Sequence, residues 1–128
     1  MVCDDEGDQS VNSAAFSLLH HITRVRLAAG RLAVIDATNL ETRARRRLLR
    51  IASGNHIQAV AVAFNIPLEK CLERNLARSE RVVNENVVSL HAAMFERAID
   101  RLRLEGYAHI YFIDEANLND VMIERVKY

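Results

Sequence analysis

Several residue types are scarce in this 128-residue chain: it has no tryptophan, one proline, two cysteines, four glycines and only two lysines. Cys3 and Cys71 cannot build a disulfide framework and neither sits in a C-x-x-C pair, so a reducing compartment is expected and a finger-type zinc site is excluded. No apolar run approaches the ~20 residues that a membrane span requires. The start, Met1-Val2-Cys3-Asp4-Asp5-Glu6, is acidic and has no apolar centre, which fits neither a secretory signal nor a transit peptide. A soluble, cytoplasmic protein without a membrane partner is the expectation.

What is present is ordinary in amount and uneven in kind. Half of the residues are apolar, and 17 basic residues balance 17 acidic ones. A chain of this length buries roughly two thirds of the surface it exposes when unfolded, so a single domain over residues 1–128 needs no metal or disulfide to hold its core. The scarcity of lysine leaves 15 of the 17 basic residues as arginine, with Lys70 and Lys127 the exceptions. Arginine offers a planar fork of donors suited to phosphate and carboxylate. A genome-wide codon bias produces the same excess, so placement has to decide.

Gly30, Gly54 and Gly106 each follow a helical pattern where a C-terminal cap would sit. Ala14, Ala15, Leu18, Leu19, Ile22, Val25 and Ala29 recur at spacings of three and four, predicting an amphipathic helix from about Ser10 to Ala29, opened by Asp8 or Ser10. Leu32-Ala33-Val34-Ile35 is continuously apolar and ends in Asp36, the pattern of a strand buried on both faces. Helical spacing returns from Glu41 to Ser53, and Ile57 to Phe64 is a second apolar, strand-like run. Pro67 suits the first turn of another helix. A polar stretch from Arg74 to Arg81 leads into a long helix from about Asn84 to Glu105. His109-Ile110-Tyr111-Phe112-Ile113 then reads as a third strand, ending in Asp114. Alternating strands and helices specify an α/β fold, a parallel sheet with flanking helices. Chemistry in such sheets gathers beyond the carboxyl ends of the strands, here at Asp36-Ala37-Thr38-Asn39, Asn65 and Asp114-Glu115.

Three segments carry candidate chemistry. In the first, Asp36 emerges from an apolar run and is followed by Thr38 and Asn39. Its carboxylate can orient a magnesium-bound water or hold an arginine, and the two short side chains can reach phosphate oxygens. The same residues would equally serve as caps for the loop and the helix that follows. In the second, Arg74, Arg78 and Arg81 fall at i, i+4 and i+7 and share one face if the stretch is helical. None has an acid three or four residues before it, so such a face calls for an anion. An arginine-bearing lid over a nucleotide triphosphate supplies one, and a solvated face with Glu80 and Glu85 nearby is the alternative. In the third, Arg43, Arg45, Arg46, Arg47 and Arg50 fall within eight positions. They can track a nucleic-acid backbone, or coat the outer surface of a helix whose Leu48, Leu49 and Ile51 face the sheet. The second arrangement is expected. His20, His21, His56, His91 and His109 show no metal-ligand spacing, and no metal site is expected. Asp4, Asp5, Glu6 and Asp8 precede a helix, where acids favour its positive end.

The ordered set of these segments resembles a known family. Asp4-Asp5-Glu6-Gly7-Asp8-Gln9-Ser10-Val11, Ala15-Phe16, Leu19-His20, Val34-Ile35-Asp36-Ala37-Thr38-Asn39, Phe64-Asn65-Ile66-Pro67 and Cys71-Leu72-Glu73-Arg74-Asn75, followed by Arg78 and Arg81, are similar to the 5′ kinase domain of bacterial polynucleotide kinase-phosphatase, a P-loop kinase. The resemblance implies transfer of the ATP γ-phosphate, with Mg2+, to 5′-hydroxyl ends of RNA or DNA in nucleic-acid repair. It further implies phosphatase and ligase modules as possible companions. It implies a lid at about 74–83 whose Arg78 and Arg81, with Arg74 beside them, contact the donor phosphates. It places Asp36 in the phosphate and acceptor site, with Thr38 and Asn39 binding nucleotide or substrate.

The family's first part has no counterpart in these residues. A P-loop kinase begins with a buried strand, a G-x-x-x-x-G-K-[ST] loop and a helix, and neither lysine here follows a glycine. The segment with the family's proton-accepting aspartate and acceptor-gripping arginine is also absent. A P-loop kinase-like fold incomplete at its N-terminus is therefore expected, with a gap of one strand between the strands ending at Asp36 and Phe64 unless the two close up. A chain of that kind is expected to be unstable or inactive in an ATP-dependent kinase assay, and robust 5′-phosphorylation of an oligonucleotide would contradict this. The alternatives are a P-loop kinase with a small-molecule acceptor and a non-catalytic remnant that binds nucleic acid or a partner. An oligonucleotide set against a metabolite panel separates the first, and binding without ATP hydrolysis marks the second.

Overall fold

Helical periodicity and two apolar runs set the architecture of the computed structural model, which describes residues 9–79 and 81–124, with side chains from residue 12 onward. The element order is α1 (Gln9–Ala28), α2 (Thr42–Gly54), β1 (Val60–Phe64), α3 (Leu68–Leu76), α4 (Glu85–Leu102) and β2 (His109–Ile113). The class is α/β, as the alternation predicts, with β1 and β2 paired in parallel and in register from Val60↔His109 to Phe64↔Ile113. The chain divides into two compact units, Met1–Ala59 and Val60–Tyr128. No helix among the described residues is long and apolar enough to cross a membrane. The acidic run Asp4, Asp5, Glu6 and Asp8 lies outside the described residues, and Ser10 stands inside α1.

In the first unit α1 packs on α2. His20 and Thr23 from α1, and Arg45, Ile51 and Ala52 from α2, are its buried residues. Both helices end by the same device, in which the amide two positions beyond the cap bonds a carbonyl five residues back. At α1, Gly30 takes φ +67, and Arg31 N–H donates to the Arg26 carbonyl at 2.9 Å. At α2 the left-handed position falls on His56, with φ 56, and Ile57 N–H donates to the Ala52 carbonyl at 3.0 Å. Gly54, expected to be the cap, is instead the last helical residue.

His20 is only 5% exposed, and its ring stacks on Phe16 with centroids 6.4 Å apart. Its buried Nδ1 has no hydrogen-bond partner among the described residues. Burial, and then the charges of Arg47 and Arg24, hold its pKa below the ordinary 6.5. The unfolded chain therefore takes up this proton first as pH falls. Stability is full above about pH 6.5 and declines below it, by up to about 1.4 kcal/mol per pH unit, until the folded ring is protonated too. Urea midpoints at pH 7.5 and 5.5 should show this loss in the native chain, and His20→Leu should lack it. An equal loss in the variant would assign the pH dependence to other groups.

The run Leu32-Ala33-Val34-Ile35 corrects the sequence reading. It is not a strand: residues 31–36 enter no ladder, and Leu32 and Val34 are 78% and 80% exposed. A strand exists only where a neighbour takes up its N–H and C=O groups, and the sheet among the described residues contains only β1 and β2. The Leu32 carbonyl is held instead by Arg26, whose Nε and Nη2 donate to it at 3.0 and 2.8 Å.

The second unit holds the parallel pair and the two helices that connect it. β1 is buried at Ala63 and β2 at Ile113, while Ala98 and Leu102, four apart on α4, supply the other buried apolar residues. Asn65 N–H donates to the Ile113 carbonyl at 2.7 Å, continuing the ladder one residue past β1. The Arg103 guanidinium lies 5.8 Å from the Phe112 ring centroid, tying the end of α4 to β2. Pro67 is the N-cap of α3, one position ahead of its first turn. Asn84 caps α4, its side chain accepting from Asn86 N–H at 2.9 Å. Asp114 and Asn117 bond each other's backbone N–H at 2.9 and 3.0 Å, so the acid that ends β2 closes a turn.

Candidate functional site

Two candidate segments, one in each unit, take their shape from a single buried polar side chain apiece. In the first unit the chain bends at Ala37 and turns through Asn39 at φ 47, a left-handed conformation that asparagine tolerates better than most residues. Arg45, 3% exposed, reaches back from the first turns of α2 to hold that bend. Its Nη1 donates to the carbonyls of Asn39 at 2.8 Å and Leu40 at 2.7 Å, and its Nη2 to Thr42 Oγ1 at 3.2 Å. The arginine run was expected to coat a surface, and this member does the reverse. Carbonyl dipoles converging on the guanidinium offset part of its desolvation, and only arginine's fork meets both carbonyls and the hydroxyl at once.

With the backbone fixed, the side chains of the segment are left over for other work. Asp36 and Thr38 are exposed and Asn39 is half-buried. None of the three side chains makes a hydrogen bond within the described residues. Capping does not occupy them either, since Glu41 is the N-cap of α2 and makes no side-chain cap bond. A carboxylate, a hydroxyl and an amide on one short turn form a donor and acceptor set suited to a phosphate or to a magnesium-bound water.

In the second unit α3 stops at Leu76, so Arg74, Arg78 and Arg81 do not share a helical face. Asn75 supplies the reason. It is 5% exposed, its Nδ2 donates to the Val83 carbonyl at 2.7 Å, and its Oδ1 accepts from Val83 N–H at 2.9 Å. One side-chain amide thus satisfies both backbone groups of Val83 as a neighbouring strand would, and holds Val83 against the end of α3, so that the residues after Ala77 belong to a clamped loop. Arg78 and Arg81 come together on that loop, lining an open depression of about 380 Å3 with Ala77 and Ser79. Arg74 remains on the last turn of α3, outside that lining, next to Glu73. Glu73 also bonds Lys70 at 2.8 Å, and this contact, before the nearby Arg74 charge, holds its carboxyl below the usual range.

Arg45 and Asn75 are therefore the positioning residues that inspection of the sequence passed over. No group of three His, Cys, Asp or Glu side chains able to hold a metal occurs among the described residues. A single carboxylate with substrate phosphates is a usual magnesium arrangement, and Asp36 fits that pattern.

A family profile described as an AAA domain matches residues 2–104, a span that takes in both candidate segments. The chain belongs to the AAA domain family. This membership makes it a P-loop NTPase-like, nucleotide-binding domain of a group that includes kinases. The match covers α1 to α4 and ends ahead of β2. No curated protein matches the chain significantly. Within the AAA domain family the phosphate cradle is the G-x-x-x-x-G-K-[ST] loop, a motif these 128 residues do not contain. The anion-binding groups they do contain are arginines, and of these Arg78 and Arg81 share one depression.

Proposed function

We propose that this AAA domain serves a polynucleotide 5′-hydroxyl kinase, its lid binding the phosphates of ATP and its Asp36-Ala37-Thr38-Asn39 turn facing the acceptor end. The observation that carries the reading is the loop clamped by Asn75, on which two guanidinium groups line one depression. Charge in phosphoryl transfer is spread over the oxygens of the moving group, and paired guanidinium forks stabilise it. The order of motifs along the chain supports a polynucleotide as acceptor. Asp36 would hold a Mg2+ ion, which would supply charge neutralisation to the phosphates when bound, and Thr38 and Asn39 would orient phosphate oxygens. In the reaction the 5′-hydroxyl oxygen bonds to the γ-phosphorus as the bond to the β–γ bridging oxygen breaks, and the hydroxyl proton leaves to a base. Turnover calls for a backbone phosphate cradle, so binding is the property to test in this chain.

Arg78→Ala removes one charge-assisted contact and should weaken ATP binding about tenfold, by titration calorimetry. In the presence of a non-hydrolysable ATP analogue, a 5′-hydroxyl oligonucleotide should bind more tightly than its 5′-phosphorylated twin and than any member of a metabolite panel. Equal binding of the twins, or a metabolite preferred over both, would sink the polynucleotide assignment and favour a small-molecule kinase.

A further inference from the structure

Residues 9–59 hold eight arginines against two acids, Asp36 and Glu41, whereas residues 60–124 hold eleven acids against seven basic residues. The acidic run Asp4, Asp5, Glu6 and Asp8 offsets part of this excess, so the first unit as a whole, Met1–Ala59, is only mildly basic, with eight basic against six acidic residues, and the neutral total conceals a local concentration of arginine downstream of that run. Within the first unit the excess is concentrated on α2. Arg43, Arg46, Arg47 and Arg50 fall at i, i+3, i+4 and i+7, one face of the helix, and all four are exposed. Arg45 points away from that face into the packed side with Ile51 and Ala52. No ion pair or hydrogen bond engages the four among the described residues. α2 has no acid in its first turn and no side-chain cap, so nothing on the helix relieves their mutual repulsion.

We propose that this four-arginine stripe binds the phosphodiester backbone of a single-stranded polynucleotide, downstream of the 5′ end that the Asp36–Asn39 turn receives. The inference rests on the polynucleotide reading above and adds a second contact surface to it. Sequence position favours the arrangement: α2 begins three residues after Asn39, and Arg45 ties its first turns to that turn at 2.8 Å. From Arg43 to Arg50 the stripe rises about 10 Å along the helix, the reach of two to three phosphates. Charge on one side, without aromatic or apolar neighbours on the stripe, suits a backbone rather than bases, so the contact carries affinity and not sequence preference.

The test uses a fluorescein-labelled 12-nucleotide single strand and the full chain, with anisotropy read between 50 and 300 mM salt. The variant is Arg46→Gln/Arg50→Gln, which leaves Arg47 near His20 and Arg45 in place. Its affinity should fall about tenfold at 100 mM salt, and the slope of log K against log salt should flatten by about 1.4, as expected for two lost backbone contacts. Its urea midpoint should hold or rise, because like charges four apart have been removed. The native chain should bind the strand more tightly than polyglutamate or phosphatidylglycerol vesicles at the same salt. Unchanged affinity and slope in the variant would overturn the inference, as would a lowered urea midpoint that accounts for the loss, or a preference for polyglutamate or vesicles. Failure of the kinase reading is distinguishable from these: the variant would then lose strand binding while the native chain ignored whether the 5′ end carried a phosphate.

Discussion

Arg45→Met is expected to lower the free energy of unfolding by about 3 kcal/mol, because it leaves the Asn39 and Leu40 carbonyls and the Thr42 hydroxyl without their charged donor in a part-buried site. Methionine keeps most of the side-chain length, so little of the loss comes from a cavity. Against a total stability of roughly 5–15 kcal/mol for a domain, a change of this size is a large fraction. Arg45→Lys keeps the charge and loses the fork. One ammonium cannot meet both carbonyls with arginine's geometry, and about half of the loss should remain. The left-handed turn at Asn39 relaxes in both variants, so the phosphate contacts proposed for Thr38 and Asn39 should weaken in parallel. Urea unfolding checks the first effect, and a shift within about 0.5 kcal/mol for Arg45→Met would show that the turn stands without the guanidinium.

The second large effect belongs to Asn75. Asn75→Ala removes both bonds to Val83 and strands a backbone donor and an acceptor, at a cost of about 2–3 kcal/mol. Most of that cost falls on the loop and not on the sheet, so the loop opens before the unit unfolds. Trypsin reports the opening directly, since Arg78 and Arg81 are its cleavage sites. Cleavage in the native loop should be slow and should accelerate on the order of thirty- to hundred-fold in the variant. Asn75→Asp is a sharper probe. It retains an acceptor for Val83 N–H but turns a carboxylate oxygen toward the Val83 carbonyl, so it should behave no better than alanine. Native-like cleavage in either variant would mean that the loop is held by something other than this amide.

These two residues also mark where sequence reasoning reached and where it stopped. The helices α1 and α2 and the strands β1 and β2 were readable because apolar spacing reports which face is buried, and burial was enough to place them. The run at Leu32 to Ile35 shows the limit of that signal. Apolar residues state a preference for burial, whereas a strand also needs a partner for its backbone, and that partner belongs to another segment. The end of α3 at Leu76 was hidden for a related reason: the bond that closes the lid joins Asn75 to a residue eight positions away, beyond any local propensity. Arg45 was different. Its phase with Leu48, Leu49 and Ala52 on α2 put it on the apolar side of the helix, but the density of arginine around it made the whole run read as surface. Asp36, Thr38, Asn39, Arg78 and Arg81 stand out in the sequence as candidate side chains, and what the sequence could not supply was the backbone that carries them.

The measurement closest to the central claim is a calorimetric comparison of AMP, ADP and ATP binding to the native chain and to Arg78→Ala/Arg81→Ala. If the clamped loop is a phosphate lid, affinity in the native chain rises with each added phosphate, and the rise is largely abolished in the double variant while AMP binding is little changed. A gradient of the same steepness in both proteins would contradict a phosphate-binding role for the lid.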